Sequence, residues 1–450
     1  MKTYLQIFIA LLIIIFNSNV SAQYSWFQLT NPLGFGDDAM IGQIKFVSNA
    51  EGWISCYDGQ LLHTTDGGGM WEIINPFPSD TVERFCDPAI NMSWIGNSHG
   101  WVIGTLGSLG TPRGSVIYYT TNYGQGWQRK VLSTETGNVG VQVQFINQNI
   151  GWVVLFNFNT GMPTFLKSTD GGNTWAPIDG RGMFYYANQN NGWAFGGEGT
   201  NGQEPPYSIH NTTNGGINWN LQFEDSTGGK YNAIYFSDIN NGWIVGDSGK
   251  VLKTTDGGNN WTFVTNSGVN PAEQCKTVFS LNGNHVWIPT KDSDSYHTPI
   301  IKYSSDGGAN WETQITPFRD SGGNNAVFSI FFTDEYNGYC TGDWGRIAWY
   351  TDPISVDDET NPVPDFYLLQ NYPNPFNPMT NLRYAINSRQ YVTLKVYNLL
   401  GKEVATLVNG YKETGSYTVN FDASNLSSGV YIYKLQAGDF TQTRKMTLVK

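Results

Sequence analysis

Charge is scarce in this chain of 450 residues: 14% of them are Asp, Glu, Lys or Arg, against roughly 25% in ordinary soluble domains. Acids outnumber bases by 37 to 25, for a net charge of -12. Such a surface repels phosphate backbones and has few cations with which to release their counterions, which excludes nucleic acid as a partner. Four cysteines are too few for a disulfide scaffold. The five histidines, His63, His99, His210, His285 and His297, show no paired spacing that would suit zinc. There is no phosphate-binding Gly-rich loop, no G-x-S-x-G elbow and no catalytic cysteine context, so no cofactor is called for. Beyond residue 22 no apolar run approaches the roughly 18 residues a membrane helix needs, so the mature chain is expected to lack a transmembrane segment.

Glycine and aromatic residues are abundant instead, with 52 Gly, 16 Trp, 25 Tyr and 25 Phe. Aromatic richness excludes a disordered chain, and much Gly with little charge argues for an all-β fold. At the N-terminus, Lys2, the apolar run Ile7 to Phe16 and the small residues Val20-Ser-Ala22 read as a secretory signal over 1–22, removed by signal peptidase to leave Gln23 first. Export makes disulfides permissible. Four cysteines allow three pairings; Cys56 and Cys340 fall in neighbouring repeat units, whereas Cys86 and Cys275 do not.

A motif [ST]-x-[DN]-x-G-x-x-W recurs six times, carried by Asp66 and Trp71, Asn122 and Trp127, Asp170 and Trp175, Asn214 and Trp219, Asp256 and Trp261, and Asp306 and Trp311. The Trp-to-Trp spacings of 56, 48, 44, 42 and 50 residues have the period of a propeller blade. Alternating apolar stretches flank each copy, so the motif sits at a hairpin turn where a carboxyl or amide oxygen accepts backbone N–H groups and Gly permits positive φ. Asn at two copies keeps the acceptor and discards the charge, which fits a structural role and not acid catalysis. A second motif, usually Gly-Trp, precedes each copy and occurs seven times, as Gly52-Trp53, Gly100-Trp101, Gly151-Trp152, Gly192-Trp193, Gly242-Trp243, Val286-Trp287 and Gly338-Tyr339. The seventh unit stops at Asp352, while Trp26-Phe-Gln-Leu-Thr30 resembles a strand that follows the turn. The expected domain is therefore a seven-bladed β-propeller over 23–352, closed by its N-terminal strand.

The six motifs resemble Asp-box (BNR) repeats. Their rhythm with Gly-Trp is most similar to propellers of the photosystem II assembly factor Ycf48/Hcf136 type, with sialidases, sortilin-type receptors and xyloglucan hydrolases as more distant users of the box. The resemblance covers nearly all of 23–352 and speaks to fold far more than to activity.

A Pro- and acid-rich linker is read over 353–365, and alternating strands after it point to a small Ig-like β-sandwich over 366–450. Asn374-Pro375-Phe376, Val396 to Gly401, Ser427-Ser-Gly429-Val-Tyr431 and the closing Lys445 to Lys450 resemble the type IX (Por) secretion C-terminal sorting domain. That resemblance implies the type IX machinery as a partner, a Gram-negative source, and an end point that is secreted or attached to the outer-membrane surface.

In a blade, the loops opposite the Asp boxes carry the extra length, as at Asn75 to Asp87, Glu198 to Pro206 and Lys291 to Pro299, and there a ligand is expected. The principal expectation is a binding or scaffold module for a glycan or surface protein. The alternative is a glycoside hydrolase, sialidase-like or xyloglucanase-like, with paired loop carboxylates; its catalytic candidates are Glu198, Glu204 and Asp225, beside other loop acids Glu224 and Asp238. Alternating oxygens at Asp292 and Asp294 are the only hint of a metal, Ca²⁺. Thirteen of the 16 Trp belong to the repeat, counting Trp26; of the rest, Trp94, Trp344 and Trp349, Trp344 replaces Ser248 in a short turn on the expected ligand face and is the ligand-binding candidate.

Overall fold

The computed structural model describes residues 25–34, 41–76, 83–84, 91–108, 111–196, 207–227, 229–291, 299–318, 326–351, 367–368, 371, 376–386, 388–438 and 440–449. The fold is all-β; among these residues the helical element is a 3-10 turn at Asp343–Gly345. The signal segment and the 353–365 linker lie outside them.

Between residues 25 and 351 the strands form seven antiparallel sheets. The first runs in chain order through Ile41–Phe46, Gly52–Cys56, Leu61–Thr64 and Glu72–Ile74. The following sheets begin with Glu83–Arg84 and Met92–Ile95, which both pair with His99–Ser108, then with Asn138–Phe145, with Met183–Tyr186, with Tyr231–Phe236, with Gln274–Cys275 and Phe279–Ser280, which both pair with Val286–Lys291, and with Val327–Asp334. The seventh is completed from the other end of the chain, since Ser25–Leu29 pairs antiparallel with Arg346–Thr351. Starting strands of successive sheets touch, and Ile41–Phe46 also touches Val327–Asp334.

One stacking rule joins the sheets and explains the Gly-Trp motif. Seven positions before each motif Trp or Tyr stands a residue paired directly across the hairpin from the motif Gly: Phe46 with Gly52, Trp94 with Gly100, Phe145 with Gly151, Tyr186 with Gly192, Phe236 with Gly242 and Phe332 with Gly338. The aromatic ring lies flat over that Gly, where a Cβ would come within 2.2–2.6 Å of it. Its other face receives the motif ring of the preceding sheet. Tyr339 stacks on Phe46 with centroids 3.7 Å apart, Trp53 on Trp94 at 4.4 Å, Trp101 on Phe145 at 3.7 Å, Trp152 on Tyr186 at 3.8 Å, Trp193 on Phe236 at 3.6 Å and Trp287 on Phe332 at 3.7 Å. Offset stacks of this kind are worth about 0.5–1.5 kcal/mol each beyond the area they bury. The exception follows the same logic: Val286 replaces the Gly, and its cross-strand partner is Ser280, which has no ring to collide with.

Residues 367–448 form two further sheets, a three-stranded one with Met379–Ile386 against Gly415–Asp422 and a four-stranded one with Gln390–Asn398 between Glu403–Lys412 and Gly429–Ala437. Leu382, Tyr384 and Ile386 of the first share a core with Leu394, Val396, Tyr433 and Met446 of the second.

Candidate functional site

Each Asp box joins the third strand of a sheet to its fourth. In the sixth, Ser304 Oγ donates to Asp306 Oδ1 at 2.9 Å and accepts Gly308 N at 2.8 Å, while Asn310 N donates to Asp306 Oδ1 at 2.8 Å. The Asn boxes repeat this with neutral oxygens, Gly126 N and Asn218 N each reaching the Asn side chain at 3.0 Å. The Asn310 backbone and side-chain donors hold the Asp306 carboxyl down at about 2; Thr174 and Asn260 do the same, more weakly, for Asp170 and Asp256. The motif ring of the preceding sheet is latched to the box, Trp101 Nε1 donating to Gly171 O at 2.9 Å, Trp193 Nε1 to Gly257 O at 2.8 Å and Tyr339 OH to Gly67 O at 3.1 Å. At Asp170, Asp256 and Asp306 both carboxylate oxygens are thus occupied by local donors, whereas Asp66 Oδ2 is buried with none among the described residues. Asp306→Asn is expected to leave the thermal midpoint at neutral pH unchanged, as Asn122 and Asn214 already do this work, and to remove one carboxylate from the acid-unfolding profile below pH 4. A large loss at pH 7 would mean that the charge itself matters.

At the opposite ends of the strands lie the turns between second and third strands and the connections between sheets. Trp344 occupies the turn Asp343–Gly345 with φ 65 and ψ 26, a left-handed conformation also seen at its counterpart Ser248 with φ 59. A bulky side chain rarely adopts it, and it costs roughly 1–2 kcal/mol. The turn is nonetheless fixed: Asn31 Nδ2 donates to Gly345 O at 2.8 Å, Ala326 N to Asp343 Oδ2 at 2.7 Å and Asp343 N to Ala326 O at 3.1 Å. The Trp344 ring is partly exposed and stacks on no other ring among the described residues. Beneath it, burial raises the Asp343 carboxyl above the ordinary carboxylate range, the Ala326 N–H and the charges of Lys291 and Arg346 offsetting it only in part. Backbone strain and perturbed acids cluster at functional sites more often than elsewhere. Asp343 carries no motif, and only its place beside Trp344 could have drawn attention to it.

The other acids are distributed differently. Asp225, 2% exposed, is paired with Lys250 and accepts Thr227 N at 2.8 Å, Thr227 Oγ1 at 2.5 Å and Tyr231 OH at 3.0 Å. Burial alone would raise its pKa, but these bonds outweigh it and the net direction is down. Glu224 is exposed on the same strand. Asp238 lies at the Asp-box end, where it caps the turn by accepting Asn240 N at 2.7 Å and Asn241 N at 2.9 Å. Glu198, Glu204, Asp292 and Asp294 lie outside the described residues, and among the described residues no cluster of His, Cys, Asp and Glu could hold a metal ion. Cys56, Cys275 and Cys340 are buried free thiols, so the pairing of Cys56 with Cys340 left open by the sequence is not formed; Cys86 lies outside the described residues.

Of the residues expected from the sequence to form a sorting signal, Phe376 is buried and exchanges backbone hydrogen bonds with the last strand, its N donating to Thr447 O at 2.9 Å. Gly401 and Gly429 sit at turns with φ 76 and 154, conformations that favour Gly. Asn374, Pro375 and Lys450 lie outside the described residues.

These features agree with known proteins. Residues 229–315 match the family model described as photosynthesis system II assembly factor YCF48, and residues 370–449 match that of the secretion system C-terminal sorting domain. The photosystem II assembly lipoprotein Ycf48 of Synechococcus sp. (strain CC9902) is 28% identical over 148 residues, 31% of this chain and 42% of that one, so the match spans less than half of the relative. Among solved structures, YCF48 bound to D1 peptide superposes with a TM-score of 0.54 at 18% identity over 73% of this chain and 94% of that one. The GH74 xyloglucanase from Xanthomonas campestris superposes at 0.52 with 10% identity, over 80% of this chain and 59% of that one. No described helix is long and apolar enough to cross a membrane. The chain is thus similar to Ycf48-type BNR-repeat β-propellers over its first part and, over residues 370–449, to the secretion system C-terminal sorting domain.

Proposed function

We propose that this is an exported binding module: a signal peptide over 1–22, a seven-bladed propeller over 23–352 closed by its N-terminal strand, a linker over 353–365 and an Ig-like sorting sandwich over 366–450 that the type IX machinery reads. Its end point is the surface or surroundings of a Gram-negative cell. The seven consecutive sheets, with their starting strands in contact, support the blade count. Deleting 366–450 is expected to strand the propeller in the periplasm, measured by surface protease accessibility and by its presence in the medium; unchanged delivery would sink the export reading.

The observation that carries the binding role is Trp344, a partly exposed ring held in a strained turn by three hydrogen bonds from outside that turn. Flat exposed rings stack on sugars or on the side chains of a protein partner. In a screen of glycans and surface proteins, Trp344→Ala is expected to lose the ligand bound by the native propeller while keeping its thermal midpoint. Trp344→Gly is expected to raise stability by about 1 kcal/mol, because Gly meets no steric penalty at positive φ, and to bind no better than the Ala variant. In this reading Asp225 and Lys250 are a buried structural pair.

The second reading, a glycoside hydrolase, draws on Asp343, whose raised carboxyl suits a general acid beside a stacking ring. It requires a second carboxyl about 5–10 Å away. Release of reducing sugar from xyloglucan or a sialoside by the native chain, lost in Asp343→Asn, would favour it over binding alone.

A further inference from the structure

Eight positions before each motif Trp or Tyr, the starting strands of the seven sheets bring one side chain apiece to a common level: Lys45, Ser93, Gln144, Tyr185, Tyr235, Phe279 and Phe331. In a propeller these innermost strands surround the central channel. Five of the seven are in sequential contact across five successive sheets. Tyr185 meets Tyr235 with centroids 5.2 Å apart, Tyr235 meets Phe279 at 5.0 Å, Phe279 meets Phe331 at 5.2 Å, and the Lys45 ammonium lies 4.4 Å from the Phe331 centroid.

The two remaining side chains are already spent. An innermost strand is a sheet edge, and its free backbone groups need partners. Ser93 Oγ accepts Phe145 N at 2.9 Å, and Gln144 bridges Tyr186 by accepting its N at 2.8 Å and donating to its O at 2.9 Å. On the aromatic side the donors are not spent. Among the described residues Lys45 forms no ion pair, and neither the Tyr185 nor the Tyr235 hydroxyl has a protein hydrogen-bond partner. Burial lowers the Lys45 ammonium to about 8 with no acid to offset it, and burial first, then the charge of Asp238, raises the Tyr185 phenol to about 12, so it remains a donor at neutral pH. A level of the channel that offers one ammonium and two phenolic donors, separated by two Phe faces, lacks an acceptor of negative charge with an apolar body.

We propose that this level of the channel is a binding site for an apolar carboxylate, with Lys45 taking the carboxylate and the neighbouring Phe331 and then Phe279 packing on the apolar body, on the side away from Tyr235 and Tyr185. The proposal deepens the binding role and is separable from it, since Trp344 lies in a turn at the opposite end of the strands.

Phenylacetate and its neutral isostere phenylacetamide are the probes, titrated into the full mature chain by calorimetry. Phenylacetate is expected to bind at one site at least about tenfold more tightly than the amide. Lys45→Met should abolish that difference while the thermal midpoint holds, and Lys45→Arg should retain it. Equal binding of acid and amide, no binding of either, or full retention in Lys45→Met would each overturn the proposal. A ligand found in the glycan and protein screen that is lost in Trp344→Ala but kept in Lys45→Met would leave the binding role standing without this site.

Discussion

A Gly242→Val variant is expected to lose about 3 kcal/mol of stability, although Gly242 lies in a regular strand with no special backbone conformation. The cost comes from Phe236, whose ring would stand 2.4 Å from the new Cβ and cannot move away, because the ring of Trp193 lies 3.6 Å from it on its other side. Inserting methyl groups into a packed core costs typically 1–3 kcal/mol, and a ring pinned on both faces belongs at the upper end. Phe236→Ser alone is expected to cost about 3–5 kcal/mol through the cavity it leaves. Combined, the two should cost less than their sum by 1 kcal/mol or more, since together they recreate the arrangement the chain already uses at Val286 and Ser280. Denaturant unfolding of the four proteins measures that coupling; additive losses would show that the ring and the Gly do not constrain one another.

The second large effect belongs to Asp225. Asp225→Ala is expected to destabilise the propeller by about 3–5 kcal/mol, because it leaves the Lys250 ammonium, 6% exposed, without its counter-charge. Replacing both residues with apolar ones, Asp225→Leu with Lys250→Met, should recover most of the loss, since the desolvation of two charges disappears together. The pH dependence has a definite sign. The folded carboxyl titrates below its unfolded value of about 3.9, so its contribution is full above that value and fades as pH falls through the lower folded one. The Ala variant should therefore show a shallower loss of stability below pH 4. A native-like midpoint for Asp225→Ala would exclude this buried pair as a source of stability.

How much of this was legible in the sequence depended on whether backbone geometry restricts residue type. The Asp boxes were legible because a turn with successive positive φ values demands Gly and a short oxygen acceptor, which left Asp66, Asn122 and their counterparts visible as a pattern. The stacking position was not, because a flat ring is all it requires: Phe46, Trp94, Tyr186 and Phe332 satisfy it equally, and no single letter repeats. Trp94 accordingly stood out as an unexplained surplus when it is the partner of Trp53. The level at Lys45 was hidden for the opposite reason, since its seven positions are shared among Lys, Ser, Gln, Tyr and Phe and only the ring of neighbours gives them a common meaning. Trp344 was visible as a substitution in a turn, but the strained backbone beneath it and the raised acid at Asp343 were not. Cys56 and Cys340 show the limit of counting repeats: neighbouring units do not bring two buried thiols to bonding distance.

The strand Ser25–Leu29 finds its partner at Arg346–Thr351, more than 300 residues later. Synthesis from the N-terminus makes this strand early and its mate more than 300 residues later. Until residue 351 arrives, the growing structure carries an unpaired edge at each end, and closure is the slow, non-local step of folding. The interval between the two arrivals is therefore when open sheet edges are available for pairing with another copy. The segment similar to a sorting domain follows residue 351 in the chain, so the closing strand is made before that segment is complete.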